Sequence, residues 1–148
     1  PASICRTYRG VEWWFGDAVK SLRLLPRDYF GSFDLVLVDL SETVASFSVS
    51  SHLDMMEALA LLLKPTGVMV KNEWRYLEKM SGIFKYAARI NLPNVPWICN
   101  QAMTFGSNEA DFLNFVPRDH GVQRRLLGLD DAIDERFGMF HDYKKSDV

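Results

Sequence analysis

The sequence lacks the features of several large protein classes. Its two cysteines, Cys5 and Cys99, lie far apart and match no metal-ligand or redox spacing, so two buried thiols are expected. No apolar run approaches the roughly 20 residues that span a bilayer. The formal net charge is −2, with 17 basic and 19 acidic residues, so the composition does not support nucleic-acid binding. The three histidines are scattered, and no metal site is expected.

The sequence also has no Gly-x-Gly, no phosphate-binding loop and no Gly-x-Ser-x-Gly. A glycine-rich turn is what lets a backbone approach a bound nucleotide closely. We therefore expect no cofactor to bind to this chain by itself. The chain begins at Pro1 without a methionine, which indicates a processed protein or a piece of a longer one.

What the sequence does contain is typical of a globular protein. With 148 residues, 48% of them hydrophobic, it predicts a single domain over residues 1–148 that ends in a polar tail at 143–148. Aromatic residues make up 13% of the chain. Aromatic side chains are enriched where protein surfaces meet, and five are candidate interface residues. These candidates are Trp13, Trp14, Trp97, Phe137 and Phe140.

The most informative stretch is Phe33-Asp34-Leu35-Val36-Leu37-Val38-Asp39-Leu40. Its aliphatic residues occupy consecutive rather than alternate positions, which favours a strand covered by helices on both faces. Asp39 then falls at the carboxyl end of the strand, the edge where open α/β sheets place their ligand crevices.

Strands and helices are predicted to alternate along most of the chain, which favours an α/β fold. We expect a mostly parallel sheet with helices on both faces and an antiparallel C-terminal finish. The predicted strands are 11–15, 35–39, 68–71, 97–104 and 111–116; the predicted helices are 17–25, 51–63, 75–90 and 126–137.

Three motifs in this order resemble the class I AdoMet-dependent methyltransferases. They are Gly16-Asp17-Ala18, the strand that ends at Asp39, and Leu63-Lys64-Pro65-Thr66-Gly67-Val68-Met69-Val70. The closest resemblance is to the spermidine synthases (polyamine aminopropyltransferases), whose Asp-x-x-Asp pair is similar to Asp39-Leu40-Ser41-Glu42. The resemblance covers roughly residues 11–115 and only the C-terminal part of the family's domain, so it implies a partial Rossmann-like fold.

The resemblance also implies roles for four residues. Asp17 and Ala18 would lie beside the adenine of AdoMet or decarboxylated AdoMet. Asp39, with Glu42, would serve as base or charge partner for an attacking amine. Simpler interpretations stay open: Asp17 is equally explained as a helix N-cap, Asp39 as the end of a strand, and Glu42 as a solvated loop residue.

Two functions follow as hypotheses. The first is a non-catalytic accessory or structural subunit of a larger protein assembly. An organellar energy-converting complex such as a photosystem, in a plastid or mitochondrion, is its expected setting, and a cytoplasmic location is the alternative. This subunit would be peripheral, with protein partners, no nucleic acid and no transmembrane segment of its own. The second is a spermidine-synthase-like aminopropyltransferase whose cofactor-binding N-terminal half is not in this chain.

Overall fold

The computed structural model describes residues 6–8, 11–95, 98–112 and 142–145. Those residues belong to two compact units, the first formed by 1–33 and 40–64 and the second by 34–39 and 65–148. The prediction of a single domain stays a prediction. The predicted helix 126–137 and most of the predicted strand 111–116 lie outside the described residues, while Asp111 and Phe112 are not in a strand.

The first unit begins with a hairpin. Strand β1 (Arg6–Tyr8) pairs antiparallel with β2 (Val11–Trp13), and Thr7 lies opposite Glu12. The expectation that 11–15 joins the main sheet is therefore wrong, because these two strands form a sheet of their own. Strands β1 and β2 pair with each other because only two residues separate them, and closing so short a loop costs little entropy.

The helices of the first unit begin at side-chain caps. The Asp17 carboxylate accepts a hydrogen bond of 3.1 Å from the Lys20 backbone N–H, and α1 (Ala18–Leu24) follows, which confirms the predicted helix and its cap. A 3-10 turn, Arg27–Tyr29, comes next along the chain. A short helix, α2 (Glu42–Ala45), lies in the segment after Asp39.

Helix α3 (Met55–Ala60) begins later than predicted because a capping box starts it. The Asp54 carboxylate accepts from Glu57 N–H at 3.0 Å, while the Glu57 carboxylate accepts from Asp54 N–H at 2.8 Å. The core of this unit consists of Val49, Met55 and Ala58. Partly buried apolar residues pack against that core: Ala18, Val19, Leu22, Leu40, Val44 and Leu59.

The second unit is built on a five-stranded sheet in the order β3-β4-β6-β5-β7. The sheet is mixed, and its β4–β6, β6–β5 and β5–β7 pairs are antiparallel. The molecule is thus α/β with the expected antiparallel finish, but the prediction of a mostly parallel sheet is wrong. The strands are β3 (Phe33–Val38), β4 (Leu63–Lys71), β5 (Tyr86–Val95), β6 (Ile98–Ser107) and β7 (Asp142–Lys145).

Strand β3 lies at the edge of the sheet, beside β4. The strand itself is confirmed, yet the expectation that both faces are covered is wrong. Leu35 and Leu37 are 50% and 71% exposed, whereas Val38 is 4% exposed. Alternate residues of a strand point to opposite faces, so the two leucines share the uncovered face.

The predicted helix 75–90 is half right. A 3-10 turn, Trp74–Tyr76, leads into α4 (Leu77–Ile83), and the chain then enters β5. Ala87 and Ala88 are both fully buried because β5 lies inside the sheet, between β6 and β7. Consecutive buried residues in a short segment do not distinguish an interior strand from a helix. Residues 143–145 of the predicted polar tail lie in β7, paired with β5.

Helix α4 packs against β5 and β6. The ring of Phe84, which is buried, covers Gly106 of β6 so closely that an added Cβ would meet three ring carbons within 3.0 Å. Next to it, the buried Ser107 hydroxyl donates to the Gly67 carbonyl at 2.8 Å and accepts from Ala110 N–H at 3.1 Å. Over the described part of the chain, no helix has both the length and the apolar character needed to cross a membrane.

Candidate functional site

A polar network lies at the carboxyl ends of β3 and β4. Asp39 directly follows β3, Lys71 is the last residue of β4, and Asn72 comes next. The Asn72 Nδ2 donates to Asp39 Oδ1, while Asn72 Oδ1 accepts from Lys71 Nζ at 2.9 Å. The two strands therefore end at the same edge of the sheet. We call Asp39, Lys71, Asn72, Glu73 and Tyr76 the Lys71 network.

Lys71 is the centre of this network and is only 1% exposed. Its Nζ also lies 3.5 Å from the Asn72 carbonyl oxygen and 3.5 Å from Glu73 Oε2. The Tyr76 ring centroid is 5.0 Å from the same nitrogen, within the range of a cation–π contact. A buried ammonium is costly unless it is paired and hydrogen-bonded, and these contacts meet that need.

A second strand fixes the turn that carries the network. Thr104 of β6 is fully buried, and its hydroxyl donates to the Glu73 carbonyl at 2.6 Å. The Glu73 N–H in turn donates to the Lys71 carbonyl at 3.0 Å. Residues 71–73 are thus held both by their own turn and by the neighbouring strand.

The arrangement orients one exposed carboxylate. The ammonium group of Lys71 can only donate, so the Asn72 atom that it contacts is the amide oxygen. The amide nitrogen of Asn72 therefore faces Asp39. Within the described part of the chain, this bond uses Oδ1 of Asp39 and leaves Oδ2 for an external donor. Asp39 Oδ2 can therefore accept a hydrogen bond from an N–H or O–H group.

Of the two residues predicted to be catalytic, the structure places Asp39 in this network. Glu42 is the first residue of α2 and belongs to the first unit; its side chain is outside the described part. Sequence reasoning missed Lys71 and Asn72. The signal for them was a lysine that closes the apolar run Val68-Met69-Val70, directly before two polar residues.

The first unit holds a separate feature, a pocket of about 800 Å³. Ala18, predicted to contact a cofactor, lines it, whereas the Asp17 carboxylate is engaged as the cap of α1. The pocket's rings are Trp14, Tyr29 and Phe33, and its acidic side chain is Glu12.

The candidate interface residues have different surroundings. Trp13 is 53% exposed and stacks on Phe15, itself 57% exposed, with centroids 6.3 Å apart and planes 12° from parallel. Trp14 is half-buried in the pocket wall. Trp97, Phe137 and Phe140 lie outside the described residues.

The described residues do not form a complete site for an AdoMet-type cofactor. Such a nucleoside needs a glycine-rich turn, and the sequence has no Gly-x-Gly. The carboxylate expected near the adenine already accepts the Lys20 N–H. In the parts of the chain that the structure describes, no three His, Cys, Asp or Glu residues form a metal-binding group.

Comparison with known proteins adds no family assignment: no protein-family model matches the chain, and no curated protein matches it.

Proposed function

We propose that the Lys71 network is the acceptor side of a group-transfer site of the class I AdoMet-dependent type, with the group donor held by residues outside this chain. The observation that carries the proposal is the bridge from the buried Lys71 through the Asn72 amide to the exposed Asp39 carboxylate. Asp39 is the catalytic residue in this proposal, and Asn72 and Lys71 are positioning residues.

The place of the network supports the proposal. Ligands of open α/β sheets bind outside the carboxyl ends of the strands, and Asp39 and Lys71 both lie there. The β3–β4 pair and the antiparallel end of the sheet also support a more specific α/β fold, a partial Rossmann-like one.

The energetic cost of the network also supports it. Replacing a complete buried ion pair by apolar residues is often neutral or stabilising, although removing one partner alone destabilises, so stability alone does not require charged groups at this position. The network holds the Asp39 carboxylate in one orientation, and a group that is already positioned loses less entropy when it reacts. In many active sites the catalytic base is likewise held in place by a neighbouring group, which is here the Asn72 amide.

The chemistry of the chain's own residues is simple. The acceptor, an amine or hydroxyl, donates a hydrogen bond to Asp39 Oδ2 at about 2.6–3.2 Å. As the acceptor atom forms its bond to the transferred group, the bond between that group and the donor breaks and its electron pair leaves with the donor. The proton of the acceptor passes to Asp39, which later releases it to water. The Asn72 N–H stays on Oδ1 throughout and keeps the second oxygen directed at the acceptor.

The acceptor step is tested by NMR on isotopically labelled chain. Butylamine and butanol are titrated while the side-chain amide signals of Asn72 are followed. We expect saturable shifts of those signals with one acceptor class or both, loss of the shifts in Asp39→Asn, and unchanged shifts in the control Asp28→Asn. Unshifted Asn72 signals with both compounds, or equal shifts in the two variants, would contradict the proposal.

Catalysis requires a second readout. When the donor-binding part is supplied, Asp39→Asn should lower the transfer rate by about 10²–10⁴-fold, the usual contribution of a positioned base. A rate in Asp39→Asn equal to that in Asp28→Asn would exclude Asp39 as the base.

A second candidate function, the non-catalytic accessory subunit, is favoured by a different observation. Val11, Trp13 and Phe15 recur at alternate positions of the first unit and are all exposed. Exposed aromatic pairs of this kind are suitable anchors for another protein subunit, as in an organellar complex. In a reconstituted assembly, Trp13→Ala should weaken association while the folded circular-dichroism spectrum is kept; unchanged association would remove this candidate.

A further inference from the structure

The pocket of the first unit is lined by residues that take no part in the proposed acceptor chemistry. Its volume of about 800 Å³ is within the usual range of small-molecule sites, about 300–1,000 Å³. Its walls are largely aliphatic, with Leu22, Leu25 and Leu59 among the lining residues. A site of this kind selects its ligand through the few polar and aromatic groups that interrupt the apolar wall.

Charge is the first of these selecting features. Among the lining residues that the structure describes, Glu12 is the one charged side chain. The Tyr29 hydroxyl donates a hydrogen bond to Glu12 Oε2. This bond joins the carboxylate to a ring that also lines the pocket, so one negative charge lies at the solvent-exposed part of the pocket wall.

Aromatic rings are the second feature. The Trp14 and Tyr29 rings meet edge to face, with centroids 6.4 Å apart and planes at 77°. Tyr29 and Phe33 are tilted at 43°, with centroids 5.8 Å apart. Three rings at different inclinations thus line the same pocket as a carboxylate.

We propose that this pocket binds an organic cation that carries one ammonium group on an apolar or aromatic body. Ring faces attract cations electrostatically, most strongly when the cation is shielded from water, and Glu12 adds a direct charge interaction. The aliphatic wall takes the body of the ligand. A polyamine is a poorer match, because its further ammonium groups would lie against apolar wall without a partner.

The test compares a cation with a neutral molecule of the same shape. Choline and 3,3-dimethylbutan-1-ol are titrated separately into the chain, and Trp fluorescence and the NMR signals of pocket residues report binding. Benzyltrimethylammonium tests the contribution of an aromatic body, and adenosine tests a neutral nucleoside. We expect choline to bind at least about tenfold more tightly than the alcohol, and benzyltrimethylammonium more tightly still, with a dissociation constant near or below about 1 mM.

Two variants assign the effect to the pocket. Glu12→Gln should weaken benzyltrimethylammonium about tenfold and leave the alcohol unchanged, whereas Asp28→Asn, an acid outside the lining, should change neither. Urea unfolding of both variants checks that the fold is kept. The proposal is overturned if the alcohol binds as tightly as choline, if adenosine binds more tightly than benzyltrimethylammonium, if Glu12→Gln equals Asp28→Asn, or if the cation shows no saturable binding.

Discussion

At the scale of single residues, substitution of the buried Lys71 tests the polar network. Lys71→Met keeps most of the apolar stem but removes the hydrogen bond to Asn72 Oδ1 and the ion pair with Glu73. Loss of one partner from a buried hydrogen bond costs about 1–3 kcal/mol. Since the Glu73 side chain is 25% exposed, water compensates part of its loss, and we expect the lower half of that range.

Urea unfolding measures the change in Lys71→Met. The matched control is Lys20→Met, because Lys20 is exposed on α1 and should change the free energy of unfolding by less than about 0.5 kcal/mol. Equal unfolding free energies in the two variants would show that the network does not contribute to stability.

Residue roles were predictable from the sequence where the partner is close in the chain. Asp17 and the Lys20 N–H that it caps are three positions apart, so a local pattern was enough to predict the contact. The partner of Asp39 is 33 positions away, and the contact exists only because β3 and β4 end at the same edge. Asp39 was therefore found as a candidate, but not the amide and ammonium groups that orient it.

At the scale of elements, the contact between α4 and β6 allows a paired glycine experiment. In Gly106→Ala the new methyl group would clash with the Phe84 ring, and we expect a loss of about 1–3 kcal/mol in unfolding free energy. Gly82 lies inside α4 with nothing within 4 Å of its added Cβ. Gly82→Ala should therefore stabilise the protein by about 0.5–1 kcal/mol, since alanine is the better helix former.

Each glycine variant differs from the native chain by one added methyl group, and the unfolding free energies are compared by thermal and urea unfolding. Opposite signs are expected. A Gly106→Ala variant as stable as the native chain would mean that Phe84 can move aside, and that the packing of α4 on β6 is looser than the structure indicates.

The exposed edge strand β3 gives a prediction about solubility. Leu37 is 71% exposed on a strand at the sheet edge, and edge strands with apolar residues favour intermolecular pairing. Leu37→Lys should lower light scattering during refolding while changing the unfolding free energy by less than about 0.5 kcal/mol. Val38→Lys is the contrasting variant, because Val38 is 4% exposed and its replacement should unfold the chain. Unchanged light scattering in Leu37→Lys would show that β3 does not mediate intermolecular pairing.

The type of an element was easier to predict than its place in the sheet. The apolar run 35–38 correctly predicted a strand, but the same run fits a central strand or an edge strand whose second face is uncovered. In β5, Ala87 and Ala88 continued the helical spacing of Leu77, Met80 and Phe84, and the helix prediction extended too far as a result. The order of strands depends on pairings between distant segments, and no local pattern records them.

At the scale of the whole molecule, both units carry exposed apolar side chains on a chain of small net charge, −2. Low net charge gives little electrostatic repulsion between copies. We expect association that grows with protein concentration and with added sulfate, which strengthens apolar burial. The exposed residues are Val11, Trp13, Phe15, Leu24, Phe30, Phe47 and Leu61 in the first unit, and Leu35 and Leu37 in the second.

Sedimentation velocity at several concentrations, with and without sulfate, measures this association. The double variant Trp13→Ser, Leu37→Lys should shift the distribution toward the monomer by removing one exposed apolar group from each unit. A native chain that sediments as a monomer under all conditions would show that these residues do not drive self-association.

The pairing of β4 with β6 has a consequence for how the chain is made. Met69 lies opposite Gly106 in the finished sheet, so β4 is synthesised before the strand with which it pairs. At about 5–20 residues per second, the interval between these two residues lasts roughly 2–7 s. During that interval one side of the β4 backbone has no strand to pair with, so the sheet of the second unit can be completed only after β6 has been synthesised.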